Sequence, residues 1–349
     1  MRIINIKPAL GLSVLLWAAQ SSAQEPPKIP GVLIARFDGH QDRIDSLSIS
    51  ADHCLIASGG ADKTVRVWDT STGMQQRLFE TTNEIRTVSI SADGKQVAVG
   101  DNSGLVTVWD AETGKELNVF KGIVGTVFQV RFSSSGKMLV AAGKSSGIIW
   151  DLETGKVKQK FQGDANPKVA FLGTRFAISP DEKLLAYVTT DGAIQLWNLV
   201  TDAPADGGAV EGHEGGSLAI EFSPDSKTLA TGGWAGGMRD TGEDKSIKLW
   251  DVENGKETMR LAGHAKGIYS LIFGPDGKSL VASDCDGSMR HWDVQKGQVK
   301  AILSNFKAGD RVFGTLVGQW VISPDLRFWA VGSKKSVFFF DISEFTGTN

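Results

Sequence analysis

The stretch Thr64-Val65-Arg66-Val67-Trp68-Asp69 alternates polar and apolar residues and ends in a tryptophan followed by an aspartate. A period of two is that of a strand with one buried face. The terminal pair returns as Trp109-Asp110, Trp150-Asp151, Trp197-Asn198, Trp250-Asp251 and Trp292-Asp293, and in degraded form as Phe340-Asp341. Successive copies stand roughly 40 to 53 residues apart, the period of a unit of four short strands. Such a unit cannot bury its apolar face alone, so its neighbours must stack against it.

Other columns keep step with the tryptophans. Ahead of each lies a turn: Ser50-Ala51-Asp52, Ser91-Ala92-Asp93, Ser133-Ser134-Ser135, Ser179-Pro180-Asp181, Ser223-Pro224-Asp225, Gly274-Pro275-Asp276 and Ser323-Pro324-Asp325. Proline presets the second position of such turns, and Ser and Asp bond the local backbone. Behind most tryptophans a second turn closes on Gly73, Gly114, Gly155, Gly255 or Gly297. A last column is Gly39-His40, Gly212-His213 and Gly263-His264.

With Gly-His, the Asp turn and Trp-Asp recurring in fixed order, the chain resembles the WD-repeat family over about residues 31 to 342, in an exported bacterial form. The resemblance implies an all-β fold, a single seven-bladed β-propeller with four-stranded antiparallel blades. Residues 31–37 read as an outermost strand without its blade, and about Gln319 to Ile342 supply three strands lacking an outermost one. Joining them closes the ring and pairs an edge otherwise open to aggregation. Residues 343–349 are read as a C-terminal tail.

The resemblance also implies hydrogen-bonded tetrads, His40, Ser58, Asp62 and Trp68 in the first repeat, His213, Thr231, Asp244 and Trp250 in the fifth, and His264, Ser283, Asp286 and Trp292 in the sixth. A serine, histidine and aspartate together suggest a nucleophilic triad. Three copies around one ring argue instead for blade clamps, which satisfy buried polar groups that each cost about 1–3 kcal/mol when unpaired. No catalytic residue is expected, and no cofactor. The remaining histidines, His53 and His291, stand at no zinc-ligand spacing, so no metal site is expected. The glycines around Gly232 to Gly237 lack the lysine of a phosphate loop.

Residues 1–23 read as a signal peptide. Arg2 and Lys7 precede the apolar run Ala9 to Trp17, and Ser21-Ser22-Ala23 offers a cleavage site before Gln24. Residues 24–30 then form a linker, and the mature protein is expected in a periplasm or secreted, with no membrane insertion after cleavage. The absence of an N-x-S/T sequon fits a bacterial origin. Cys54 and Cys285 fall in distant repeats, so both are expected as free thiols. A formal charge of −3 with no basic run gives no footprint for nucleic acid or an anionic membrane.

If the recurring columns are the frame, function belongs to what varies. Three loops on the tetrad rim are long: Asp164 to Arg175, Lys307 to Gly318, and the insertion Trp234 to Glu243. Five residues before each Ser or Gly turn stand Asp45, Arg86, Phe128, Thr174, Leu218, Tyr269 and Gly318, a mixed column placed near the channel mouth. Arg86, Phe128 and Tyr269, with Trp234, Met238 and Arg239 from the insertion, are the candidate partner-binding residues, of types that anchor interfaces. The expectation is a non-enzymatic, monomeric scaffold for a protein or peptide partner. The alternative is a periplasmic enzyme or small-ligand binder using the channel mouth.

Overall fold

The computed structural model describes residues 31–161, 175–189, 193–213, 216–234, 244–284, 287–303, 307–308, 311–312 and 320–348. Seven antiparallel sheets of four strands form a seven-bladed propeller. The first blade shows the pattern, with strands Ile44–Ile49, Leu55–Gly60, Thr64–Asp69 and Gln75–Glu80 running from channel to periphery. The seventh is composite. Strand Val32–Asp38 lies outside Ser336–Asp341, which pairs Phe328–Ser333 and then Trp320–Ile322. The first and last described strands therefore meet in one sheet, as closure requires.

Local chemistry explains the turns. Ser50 donates its hydroxyl to Asp52 at 2.6 Å while its oxygen accepts the Leu55 N–H at 3.0 Å, and Ser91, Ser179 and Ser223 bond Asp93, Asp181 and Asp225 likewise. The aspartate after the tryptophan is also a turn cap. Asp69 accepts the Ser71 hydroxyl at 2.6 Å and the Ser71 and Thr72 N–H groups at 2.9 Å, which lower its pKa to about 2.

The core lies between blades. One cluster joins Val65, Val67 and Phe79 of the first blade to Ile85, Val88, Val97 and Trp109 of the second. On three outer strands a phenylalanine stacks on the next blade's tryptophan: Phe37 on Trp68 at 5.6 Å, Phe79 on Trp109 at 5.2 Å and Phe120 on Trp150 at 4.9 Å. Glycine permits this approach at Gly59 and Gly232, where a Cβ would come within 2.6 Å of Ile85 and 2.5 Å of Ile268 on the next blade.

Side chains on the inner strands staple one blade to the next. Ser46 and Ser48 accept the N–H groups of Val88 and Ile90 at 3.0 Å, and Thr87 and Ser89 accept those of Val130 and Phe132 at 3.2 and 3.3 Å. Gln129 then donates to the Phe176 carbonyl at 3.1 Å and accepts its N–H at 3.2 Å. These bonds satisfy channel-side backbone groups that the sheets leave unpaired.

Two features lie outside the sequence reading. A two-residue hairpin pairs Lys307–Ala308 with Arg311–Val312. The segment read as a tail includes a short helix, Ser343–Thr346, that buries Phe345 beside His291. Among the described residues no helix is long and apolar enough to cross a membrane. Residues 1–30, Cys285, Asp286 and most of the three long loops lie outside the described residues.

Candidate functional site

The clamp of the first blade satisfies every polar group in it. His40 Nδ1 lies 2.8 Å from Asp62, Nε2 lies 2.7 Å from the Ser58 hydroxyl, and the Trp68 indole N–H donates to Ser58 at 2.8 Å. Burial outweighs the pull of Asp62 and lowers the His40 pKa, so the ring is neutral at pH 7. It then donates through Nδ1–H and accepts the Ser58 O–H at Nε2. Burial pushes Asp62 upward, but the Gln41 N–H and His40 outweigh it and leave the carboxyl below its ordinary value.

In the fifth blade His213 bonds Asp244 at 2.9 Å and the Thr231 hydroxyl at 2.9 Å, and Trp250 donates to Thr231 at 2.8 Å. Each set packs rigidly against its own blade and presents no open nucleophile.

The sixth blade departs from expectation at Ser283. Trp292 pairs Leu280 as Trp68 pairs Ile56, so the hydroxyl position two residues on is Ala282. Ser283 is one residue out of register and faces the other side of the sheet. His264 bonds Asp284 at 3.2 Å. Its Nε2, the Ser283 hydroxyl and the Trp292 indole are buried with no hydrogen-bond partner among the described residues. The expected partner Asp286 lies outside them.

The same position explains an odd fourth blade. There it is Tyr187, paired with Gln195, and its ring packs on Phe161 at 5.1 Å. A phenol in place of a small hydroxyl leaves the indole no seat. Trp197 is half-buried and donates to Asp202 at 3.3 Å.

The variable column lines the central channel. Asp45, Arg86, Leu218 and Tyr269 sit where the inner strands slip register, between Ile44 and Ser46, Ile85 and Thr87, Ser217 and Ala219, and Ile268 and Ser270. A bulge re-aims the side chain of the extra residue, here into the mouth. With Phe128 they border a cavity of about 540 Å³. Trp234 is half-buried, its N–H bonded to the Gly216 carbonyl at 2.9 Å. Met238, Arg239, Thr174 and Gly318 lie outside the described residues.

The column includes one charged strut, Asp45 with Arg86, and omits Arg131, Glu221 and Arg175. Asp45 accepts Arg43 at 2.6 and 3.0 Å and Arg86 at 3.1 Å, and the bonds from Asp45 raise the Arg43 pKa. Arg131 of the third blade reaches Glu221 of the fifth at 3.0 Å. Arg175 lies 5.9 Å from the Tyr269 ring centroid. Applying the strand period to the inner strands would have found Arg131 and Glu221 as channel-lining residues.

Acid should loosen the molecule from within. Burial lowers the pKa of His291 from 6.5 to about 4, and the neutral ring bonds the Phe345 carbonyl at 3.3 Å. Between those two values the unfolded chain holds the extra proton, so stability falls as pH drops from 6.5 to 4. The expected loss is on the order of 2 kcal/mol. Urea unfolding of His291→Gln across that window should show a shallower pH dependence than the parent.

The family described as WD domain, G-beta repeat matches residues 31–69, 74–110, 208–251 and 255–293, which fall on the first, second, fifth and sixth repeats. Nuclear distribution protein nudF 2 of Penicillium rubens is 33% identical over 299 residues, covering 80% of this chain and 62% of its own length. Periodic tryptophan protein 2 homolog of Dictyostelium discoideum is 25% identical over 272 residues, 77% of this chain and 24% of its own. Small ribosomal subunit protein RACK1y of rice, Oryza sativa subsp. japonica, is 28% identical over 140 residues, 39% of this chain and 36% of its own. The chain thus spans about three fifths or less of the length of these eukaryotic relatives. Periodic tryptophans, four matched repeats and the sheet topology agree: the chain carries WD40 repeats on a seven-bladed propeller.

Proposed function

We propose that the protein is a non-enzymatic, monomeric scaffold that holds a protein or peptide partner on the rim around the channel mouth. The observation that carries this reading is the variable column. In a ring whose other columns repeat for structural reasons, Arg86, Phe128, Leu218 and Tyr269 share one backbone position and no common chemistry. A rigid ring loses little entropy on binding, so a few aromatic and arginine anchors can set affinity. The relatives' names, a nuclear distribution protein and a small ribosomal subunit protein, suit assembly work better than a shared reaction. From the sequence, Trp234, Met238 and Arg239 are proposed as a second anchor group, of which Trp234 lies among the described residues.

Affinity capture from the source compartment should recover a stoichiometric protein with the parent and lose it with Phe128→Ala/Tyr269→Ala, at an unchanged melting temperature. Equal recovery by both would remove the mouth from the interface.

The cavity volume falls within the range of small-molecule sites, which supports a second reading of the mouth as a ligand pocket or a periplasmic enzyme's active site. A small molecule co-purifying in native mass spectrometry, with no protein partner, would favour it.

Export is part of the proposal and rests on residues 1–23 alone. Mass spectrometry of the protein from its source should give an N-terminus at Gln24.

A further inference from the structure

We propose that the partner presents a single carboxylate to the channel mouth and that Arg175 receives it. This rests on the mouth being the partner site and names the chemistry recognised there. Among the described residues three arginines line the channel: Arg86, Arg131 and Arg175. Two already meet a carboxylate, Arg86 at Asp45 (3.1 Å) and Arg131 at Glu221 (3.0 Å). Arg175 meets none among the described residues, and its Nε–H is buried without an acceptor. The Tyr269 ring lies near it, 5.9 Å from the guanidinium carbon to the ring centroid.

A guanidinium stays charged at every working pH, and an aromatic face compensates it only in part. A planar carboxylate answers the fork with two parallel hydrogen bonds, which an ammonium, a hydroxyl or an apolar group cannot do. One uncompensated guanidinium matches one negative charge, so a carboxylate suits it better than a phosphate dianion. Placement adds specificity. Arg175 and Tyr269 come from the fourth and sixth blades and approach to 5.9 Å, while Phe128 stands on the third blade, beside the fourth. An acidic group at Arg175 would therefore carry its neighbouring aliphatic atoms toward the Tyr269 ring. The local excess of arginine on a chain of formal charge −3 would also steer an acidic segment to this end of the ring.

The carboxylate can come from an acidic side chain or from a chain terminus, and labelled peptides separate the two. Fluorescence anisotropy would be measured at low salt with three fluorescein-labelled octapeptides: alternating Glu-Leu with an amidated C-terminus, alternating Gln-Leu with a free C-terminus, and alternating Gln-Leu amidated. The expected result is that one of the first two binds about tenfold or more tightly than the third, the loss expected when a charge-assisted pair is removed. Arg175→Gln should abolish that preference, and Arg175→Lys should restore only part of it. Arg175→Glu should transfer the preference to an alternating Lys-Leu peptide, a gain that a folding defect cannot mimic. Equal binding of all three peptides, no binding by any, or an unchanged preference in Arg175→Gln overturns the proposal. Should Arg175→Gln still capture the cellular partner while Phe128→Ala/Tyr269→Ala does not, the carboxylate assignment fails and the mouth remains the interface.

Discussion

Removal of residues 31–38 is expected to abolish the folded monomer. The strand Val32–Asp38 pairs with Asp341 to Ser336 along its length and carries Phe37 into the space between Trp68 and Phe339, at 5.6 and 6.3 Å. Without it the seventh blade exposes the edge of Ser336–Asp341, and Trp68 loses its stacking partner. An open edge of that length is a template for pairing with other chains. Size-exclusion chromatography should show oligomers or aggregate, and the cooperative melt should be lost. The milder variant Phe37→Ala keeps the backbone ladder and should cost about 3–5 kcal/mol, as for a fully buried aromatic. A monomer with the parent's melting temperature after the truncation would contradict closure through this strand.

The second large effect is a contrast between two serines. Ser58→Ala leaves His40 Nε2 and the Trp68 indole buried without partners and should cost roughly 2–4 kcal/mol. Ser283→Ala removes a hydroxyl that bonds nothing among the described residues and should change stability by less than about 0.5 kcal/mol. The converse change, Ala282→Ser, puts an oxygen where Ser58 has one. It should gain about 1 kcal/mol by satisfying the Trp292 indole and His264. Urea midpoints of the three variants check this directly. Equal losses for Ser58→Ala and Ser283→Ala would mean that the sixth blade keeps the same clamp as the first.

The contrast shows what could be read from residues alone. Blade number, turn positions and closure were legible because they rest on local chemistry at a fixed period: Ser-x-Asp turns, Trp-Asp caps and alternating strands. The slip at Ser283 was also written in the chain. Ser58 precedes Trp68 by ten residues, and ten before Trp292 stands Ala282. Distance from the tryptophan, and not the chemical type of the side chain, marks the clamp position. Trp197 illustrates a different limit. Its displacement follows from Tyr187 filling a hydroxyl position and meeting Phe161 of the preceding blade, a contact invisible without the packing.

The site divides in the same way. The mouth column followed from a constant offset to the turns, because bulges recur at the same place in several blades. The arginine struts did not follow. Arg131–Glu221 and Arg175–Tyr269 join blades that are not adjacent, so only ring closure brings them together. No periodicity within one repeat encodes a contact across the channel.

The ring divides into a frame, made of what repeats, and a proposed binding surface, made of what varies. Partner capture by Phe128→Ala/Tyr269→Ala, read beside its melting temperature, tests that separation most directly. An unchanged melt and a lost partner are expected, while Ser58→Ala should melt earlier yet retain the partner at a temperature where it is folded. Full partner recovery by Phe128→Ala/Tyr269→Ala would contradict it.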